Sequence, residues 1–206
     1  MAAMDVVAAF DFDGTLSPRD NVVPFLRRFA GSSAAARGFA SAGLQVARTG
    51  RAQWSRNALK AAVLRELVTG RDAADLDESA RAFADEIVRG HLRAEAVERA
   101  QWHRDQGHGT VIVSASLAAY LRPVAEALGF DAVLATELEV DDDGRLTGRM
   151  VGENVRGLEK VRRLDSWLDG ATPFVWAYGD SSGDKELWAR ADRAVRLGRL
   201  AHRGTG

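Results

Sequence analysis

The sequence contains no cysteine, which excludes disulfide bonds, zinc–thiolate sites and cysteine nucleophiles. It also lacks a long apolar run. No segment approaches the roughly 20 apolar residues that a membrane-spanning helix needs, so we expect no transmembrane segment. The first residues are apolar only briefly and contain no basic region, which is not typical of a signal peptide. These absences together predict a cytoplasmic protein.

An excess of charge of one sign is lacking as well. The chain has 28 basic and 29 acidic side chains, and its formal net charge is −1. This balance gives no electrostatic reason to expect nucleic acid as a partner. The remaining composition is that of a globular protein, with 46% hydrophobic and 28% charged residues among 206. The length suggests one catalytic domain with room for an inserted subdomain.

Short apolar runs alternate with helical patterns along much of the chain. The runs that predict strands cover residues 6–12, 109–114, 132–135, 174–178 and 193–197. The helical patterns that separate them cover residues 117–128, 157–168 and 182–191. This alternation predicts an α/β fold with a parallel sheet that helices cover on both faces. In such sheets ligands bind beyond the carboxyl ends of the strands.

The segment between the first two predicted strands is too long for a single crossover connection. Its apolar residues recur at three- and four-residue spacing, which predicts helices over residues 22–29, 34–47, 54–68 and 77–89. We therefore predict a helical cap at residues 17–104, inserted into a core made of residues 1–16 and 105–206. Residues 136–151 alternate apolar and polar side chains around an Asp-Gly pair, which predicts a β-hairpin.

Two aspartates, Asp11 and Asp13, follow the first predicted strand. Nearby carboxylates repel each other unless a cation neutralises them, and Mg²⁺ suits such a site. Asp11 would then stay ionised and could attack phosphorus to form an aspartyl-phosphate. Asp13 could protonate the leaving oxygen and later activate water. The alternative is a pair of solvent-exposed turn aspartates, because Asp-Gly is common in loops.

The segment DFDGT, followed by Leu16, resembles motif I of the haloacid dehalogenase (HAD) superfamily, most of whose members are phosphatases. The resemblance implies a Rossmann-like core, a helical C1 cap inserted after the first strand and a β-hairpin flap. Three further motifs of the superfamily are matched in order. VIVSAS supplies Ser114, GLEK supplies Lys160, and GDSSGD supplies Asp180 and Asp184.

The resemblance also implies a role for each matched residue. Asp11 would be the nucleophile and Asp13 the acid and base. The phosphate would be bound by four residues, Gly14, Ser114, Ala115 and Lys160. Mg²⁺ would be bound by Asp11, the backbone carbonyl of Asp13, and Asp180. Asp184 and Thr15 would support these ligands from outside.

Longer segments, such as VIVSASLAAYLRPVAEALGFD, resemble the phosphoserine phosphatase-like members of subfamily IB. Those enzymes have a glutamate for the substrate's amino group where this chain has the shorter Asp20. Their cap arginine for the substrate carboxylate falls near residues 61 and 62 here, and Arg56 and Lys60 lie about one turn away. Trp54 could line the same pocket.

These features predict a Mg²⁺-dependent hydrolase of a small phosphorylated metabolite, of the phosphoserine or histidinol phosphate type. Three alternatives stay open: a phosphotransferase or mutase of the same superfamily, a phosphatidylglycerophosphate phosphatase, and a non-catalytic binding relative. Asp13 is expected in both hydrolases and phosphotransferases, so motif I does not discriminate between them. We expect a monomer or a homodimer.

Overall fold

The structure, a computed structural model, describes residues 4–48 and 55–197. Five parallel strands form the main sheet in the order β3-β2-β1-β6-β7, and β4 pairs with β5 in a separate antiparallel hairpin. The strands are β1 (Val6–Phe10), β2 (Gly109–Leu117), β3 (Ala132–Thr136), β4 (Leu138–Val140), β5 (Leu146–Met150), β6 (Phe174–Gly179) and β7 (Arg193–Arg196). The predicted α/β class, parallel sheet and hairpin are confirmed.

The helices of the described residues are α1 (Val22–Ala30), α2 (Ser32–Arg48), α3 (Arg56–Val68), α4 (Ala73–Gly90), α5 (Ala94–Asp105), α6 (Ala118–Leu128), α7 (Leu158–Leu168) and α8 (Lys185–Arg190). The four helices predicted for the cap are present, although the predicted start of the third lies outside the described residues. The helix predicted over residues 182–191 is divided into a 3₁₀ turn, Ser182–Asp184, and α8. No described helix is long and apolar enough to cross a membrane.

Strand β1 lies in the middle of the sheet and is buried from Val7 to Phe10. It pairs with β2 on one side and with β6 on the other, both in parallel. The Phe10 ring stacks on Tyr178 of β6, with ring centroids 4.3 Å apart. Because β1 is buried on both faces, its sequence is continuously apolar instead of alternating between apolar and polar residues. The two aspartates of motif I follow directly after this strand.

Helix α5, which the apolar spacing did not predict separately, packs on the sheet. Its His103 is fully buried, and Nε2 lies 2.8 Å from the Tyr178 hydroxyl of β6. The His103 ring also meets Phe10 edge-on. The division into a core of 1–16 and 105–206 and a cap of 17–104 stays a prediction. The contacts of His103 favour assigning α5 to the core.

The hairpin formed by β4 and β5 pairs with the cap through main-chain hydrogen bonds. The Gly70 amide donates to Leu146 O at 2.7 Å, and the Leu146 amide donates to Arg71 O at 2.8 Å. Gly148, with φ +79°, lies so close to the cap that a Cβ there would be 2.1 Å from Thr69 Oγ1. The loop between α3 and α4 therefore adds to the hairpin in the manner of a third strand.

Candidate active site

Polar side chains gather where β1, β2 and β6 end. Asp11 directly follows β1, Ser114 lies in the last part of β2, and Asp180 directly follows β6. All three line one cavity of about 590 Å³ between the sheet and the cap. Because neighbouring parallel strands end at the same edge, residues far apart in sequence meet there, as the sequence predicts.

Lys160 joins two carboxylates at the bottom of the cavity. Its Nζ lies 2.7 Å from Asp11 Oδ1 and 2.5 Å from Asp184 Oδ1, and the side chain is buried. Burial lowers the pKa of Lys160, but the charges of Asp11 and Asp184 outweigh burial, so the pKa lies above its ordinary value. Burial raises the pKa of Asp11, and Lys160 opposes this effect. Lys160 thus supplies a permanent positive charge beside the predicted nucleophile.

Asp184 fixes the loop that follows β6. Its Oδ2 accepts hydrogen bonds from the amides of Asp180 at 3.3 Å and Ser181 at 3.1 Å. The carboxylate packs so closely on Gly179 that a Cβ there would lie 2.6 Å from its Cγ. Asp184 is fully buried and therefore acts as a support for Asp180 and Lys160. The supporting role in catalysis that the resemblance implies for Asp184 stays a prediction.

Three carboxylates form a cluster that fits a metal ion. Asp11, Asp180 and Asp184 offer oxygens that all lie within 4.8 Å of one another. Asp180 Oδ1 is buried and has no hydrogen-bond partner among the described residues. Burial, followed by the charges of Asp11 and Asp184, raises the pKa of Asp180. An unpaired buried oxygen among like charges is what a bound cation would stabilise.

Gly14 makes room for the Asp180 carboxylate. Its φ is +82°, and a Cβ at this position would lie 2.4 Å from Asp180 Oδ2. Both observations exclude a larger residue, because a side chain there would be strained and would displace Asp180. Gly14 is therefore needed for the geometry of the acidic cluster, in addition to the phosphate-binding role implied by the resemblance.

The Asp13 carboxylate is held by two residues that the sequence did not single out, Asn21 and Ser116. Asp13 Oδ1 accepts hydrogen bonds from the Asn21 amide at 3.1 Å and from Asn21 Nδ2 at 2.7 Å. Asp13 Oδ2 accepts a hydrogen bond from the Ser116 hydroxyl. Burial raises the pKa of Asp13 to about 7. A carboxyl group with such a pKa can both donate and accept a proton near neutral pH.

The two predicted hydroxyl residues, Ser114 and Thr15, are buried. Ser114 Oγ accepts a hydrogen bond from the Ser116 amide at 3.2 Å. Thr15 Oγ1 has no hydrogen-bond partner among the described residues. The phosphate-binding role of Ser114 and the supporting role of Thr15 stay predictions.

Lys60 lines the cavity and is held there by hydrogen bonds to residues outside the predicted cap. Its Nζ donates to the Ala115 carbonyl and to Asn154 Oδ1, the latter at 2.7 Å. Asn154 Nδ2 in turn donates to Asn57 Oδ1 of α3 at 2.7 Å. Burial lowers the pKa of Lys60 to about 7. Lys60 and Asn57 thus connect α3 with the end of β2 and with the loop before α7.

The other cap residues that the sequence suggests for substrate binding differ in their surroundings. Asp20 lines the cavity, but its Oδ1 accepts a hydrogen bond from the Val22 amide at 3.1 Å, at the start of α1. Arg56 lines the cavity at the start of α3. Trp54 lies outside the described residues. The substrate-binding roles of all three stay predictions.

The comparison with protein families agrees with this geometry. The family model for haloacid dehalogenase-like hydrolases matches residues 8–188. The chain belongs to this family. It is 38% identical over 188 residues to Protein CicA of Caulobacter vibrioides (strain NA1000 / CB15N), covering 91% of this chain and 83% of that protein. The predicted HAD-type enzyme class is confirmed.

One further relative and one solved structure are named for an activity. The histidinol-phosphatase of Neisseria meningitidis serogroup C (strain 8013) is 29% identical over 119 residues, which are 55% of this chain and 54% of that protein. The structure of a probable phosphoserine phosphatase from Vibrio cholerae superposes with a TM-score of 0.70 at 17% identity, covering 93% of this chain and 55% of that one. At this identity the superposition shows the shared fold alone.

Proposed function

We propose that the protein is a Mg²⁺-dependent phosphomonoester hydrolase that forms an aspartyl-phosphate on Asp11. The observation that carries the proposal is the buried contact of Lys160 with Asp11 and Asp184. It places a permanent positive charge beside a carboxylate that lines an open cavity. Such an arrangement suits stabilisation of a phosphoryl group during transfer, because the reaction concentrates negative charge there.

In the proposed reaction, Asp11 forms and breaks the bonds to phosphorus, and Asp13 transfers the protons. A carboxylate oxygen of Asp11 forms a bond to phosphorus while the bond from phosphorus to the ester oxygen breaks. Asp13 gives its proton to the leaving oxygen, and the alcohol departs. Asp13 then takes a proton from water, whose oxygen attacks phosphorus, and the acyl-phosphate bond breaks to restore Asp11 and release inorganic phosphate.

A magnesium ion would be held by Asp11, Asp180 and, following the resemblance, the Asp13 carbonyl. The unpaired Asp180 oxygen and the raised pKa of Asp180 support a cation at this place. When bound, Mg²⁺ supplies positive charge to the phosphate oxygens and neutralises the carboxylates. Lys160 and the Ser114 hydroxyl would bind the remaining phosphate oxygens.

The substrate is proposed to be a small phosphorylated metabolite, and the activities named for the relatives indicate phosphoserine and histidinol phosphate as the first esters to test. A phosphatidylglycerophosphate analogue tests the lipid alternative. Release of inorganic phosphate separates hydrolysis from transfer to another acceptor, and it therefore tests the phosphotransferase alternative directly.

The experiment is a phosphate-release assay over these esters, sugar phosphates and phenyl phosphate, with Mg²⁺ and with EDTA. We expect turnover only with Mg²⁺ and only with Asp11 intact. Asp142→Asn, an exposed aspartate in the hairpin turn, is the matched control for Asp11→Asn. Turnover by Asp11→Asn equal to that of the parent, or no turnover of any ester with Mg²⁺, would contradict the proposal.

A further inference from the structure

Besides its polar groups, the cavity has an apolar wall. Three cap helices contribute to it. The wall residues are Val22, Val23, Leu26, Phe39, Leu59 and Val63. The total volume of about 590 Å³ lies in the range of pockets for drug-sized ligands, which span roughly 300–1,000 Å³. The cavity therefore offers both space and apolar surface beyond what a phosphate group needs.

Three arginines from separate segments line the same cavity. Arg19 lies before α1, Arg56 begins α3, and Arg156 lies before α7. Among the described residues none of the three forms an ion pair with a carboxylate. Arg156 packs against the loop after β6, since a Cβ on Gly183 would lie 2.8 Å from its Nη1. These guanidinium groups can thus receive an anionic group from a ligand.

Negative charge away from the acidic cluster is scarce in the cavity. Among the described residues that line the cavity, Asp20 is the single carboxylate besides Asp11, Asp13, Asp180 and Asp184. Asp20 Oδ1 already accepts hydrogen bonds from the amides of Val22 at 3.1 Å and Val23 at 3.4 Å. The Asp20 carboxylate is therefore partly neutralised by the N-terminus of α1, where the helix dipole stabilises an anion. Away from the acidic cluster, an ammonium group on a ligand would be attracted by this one carboxylate and repelled by three guanidinium groups.

We propose that the substrate is a water-soluble phosphomonoester whose body is apolar and carries a second anionic group, without an ammonium group. The inference rests on the proposed function and narrows the class of ester, because phosphoserine and histidinol phosphate, the esters indicated by the relatives, both carry an ammonium group. Preferred turnover of either of them would overturn it. The apolar wall would receive the body, and the arginines would receive the second anion. Lys60 also lines the cavity, but its ammonium group donates to Ala115 O and Asn154 Oδ1, which leaves one N–H for a ligand.

The test uses three aryl phosphates that differ only at the para position: 4-carboxyphenyl phosphate, phenyl phosphate and 4-(aminomethyl)phenyl phosphate. We expect kcat/KM for the carboxylate to exceed that for phenyl phosphate by at least about tenfold, the effect of one charge-assisted hydrogen bond. We expect the aminomethyl ester to be the poorest. A ratio of carboxylate to phenyl at or below one, or a preference for the aminomethyl ester, would overturn the inference.

Variants assign the effect to the arginines. We expect Arg56→Gln and Arg156→Gln each to lower the carboxylate-to-phenyl ratio by about threefold or more, the double variant to lower it further, and the triple variant with Arg19→Gln to bring it near one. Arg81→Gln, on the exposed face of α4, is the matched control and should keep the parent ratio. An unchanged ratio in the double variant would overturn the assignment. The ratio is insensitive to the amount of folded enzyme.

Two comparisons distinguish this inference from the proposed function itself and from a lipid substrate. If none of the esters, including those of the first assay, is hydrolysed with Mg²⁺, the proposed function fails; if phenyl phosphate and 4-carboxyphenyl phosphate are hydrolysed equally well, only the substrate class fails. A short-chain phosphatidylglycerophosphate in micelles presents the same combination as a lipid, since it has a phosphomonoester, a second anion in its phosphodiester and an apolar body. Its preference over 4-carboxyphenyl phosphate would overturn the assignment to a water-soluble ester.

Discussion

The charge of Lys160 can be removed with little change in side-chain shape by the substitution Lys160→Met. Asp11 and Asp184 would then keep two buried carboxylates, with their oxygens 2.7 and 2.5 Å from the former position of Nζ, and no positive partner between them. Removal of one partner of a buried ion pair destabilises a protein by about 3–5 kcal/mol. In a chain of this size each kcal/mol lowers Tm by about 2–4 °C, so we expect a loss of roughly 6–20 °C.

The assay is thermal and urea unfolding in EDTA, so that no divalent cation replaces the lost charge. Lys185→Met, an exposed lysine at the start of α8, is the matched control and should change the free energy of unfolding by less than about 0.5 kcal/mol. Adding Asp184→Asn to Lys160→Met should recover part of the loss, because one of the two carboxylates is neutralised. A loss below 1 kcal/mol for Lys160→Met, or no recovery in the double variant, would refute the reasoning.

Three other predictions follow from glycine positions and from a buried histidine. Gly14→Ala should lower kcat by more than tenfold, because its Cβ would displace Asp180, whereas Gly31→Ala has the same φ of +82° but open space and should show only the backbone strain of about 1–2 kcal/mol in unfolding. Equal kcat losses in both would contradict this role for Gly14. Burial lowers the pKa of His103 from 6.5 to about 4, so the unfolded state binds more protons below pH 6.5 and this histidine destabilises the fold as the pH falls. Asp13, whose pKa burial raises to about 7, acts in the opposite direction over the same range, so the quantity to measure by urea unfolding is the difference in free energy of unfolding between the parent and His103→Gln. That difference should change by about 2 kcal/mol between pH 7 and pH 5, to the disadvantage of the parent, and a constant difference would contradict the lowered pKa of His103. Gly148→Ala should weaken the contact between hairpin and cap, which limited proteolysis would detect as faster cleavage in the hairpin; unchanged cleavage would show that the contact adapts.

Much of the fold can be predicted from the sequence because apolar runs and helical spacing are local signals. Helix α5 is the exception. Its buried residues are Ala96, Ala100 and His103, and two alanines with a histidine give no clear apolar stripe. Only the position of Tyr178 in the folded sheet shows why His103 is buried, since the two residues are 75 positions apart.

The acidic centre could be predicted because its residues stand in recognisable segments at strand ends. The residues that hold the centre could not. Ser116 contacts Asp13 across 103 positions, and Asn154 contacts Lys60 across 94. Each is an ordinary polar residue in its own segment, and its role depends on which distant segment folds against it. Asn21 is the case with a usable signal, because it is a polar residue just before the first helical pattern, close to motif I.

The main-chain pairing between the hairpin and the cap would limit how the cavity can open. An inserted cap alone would be joined to the core by two chain segments, one on each side of the insertion. Because Gly70 and Leu146 share main-chain hydrogen bonds, the hairpin would travel with the cap, and its two legs would add two more connections. Four connections would restrict any opening of the cavity to a small rotation. One of these legs leads through Asn154 to Lys160, so a rotation of the cap would also move the segment that positions Lys160 beside Asp11.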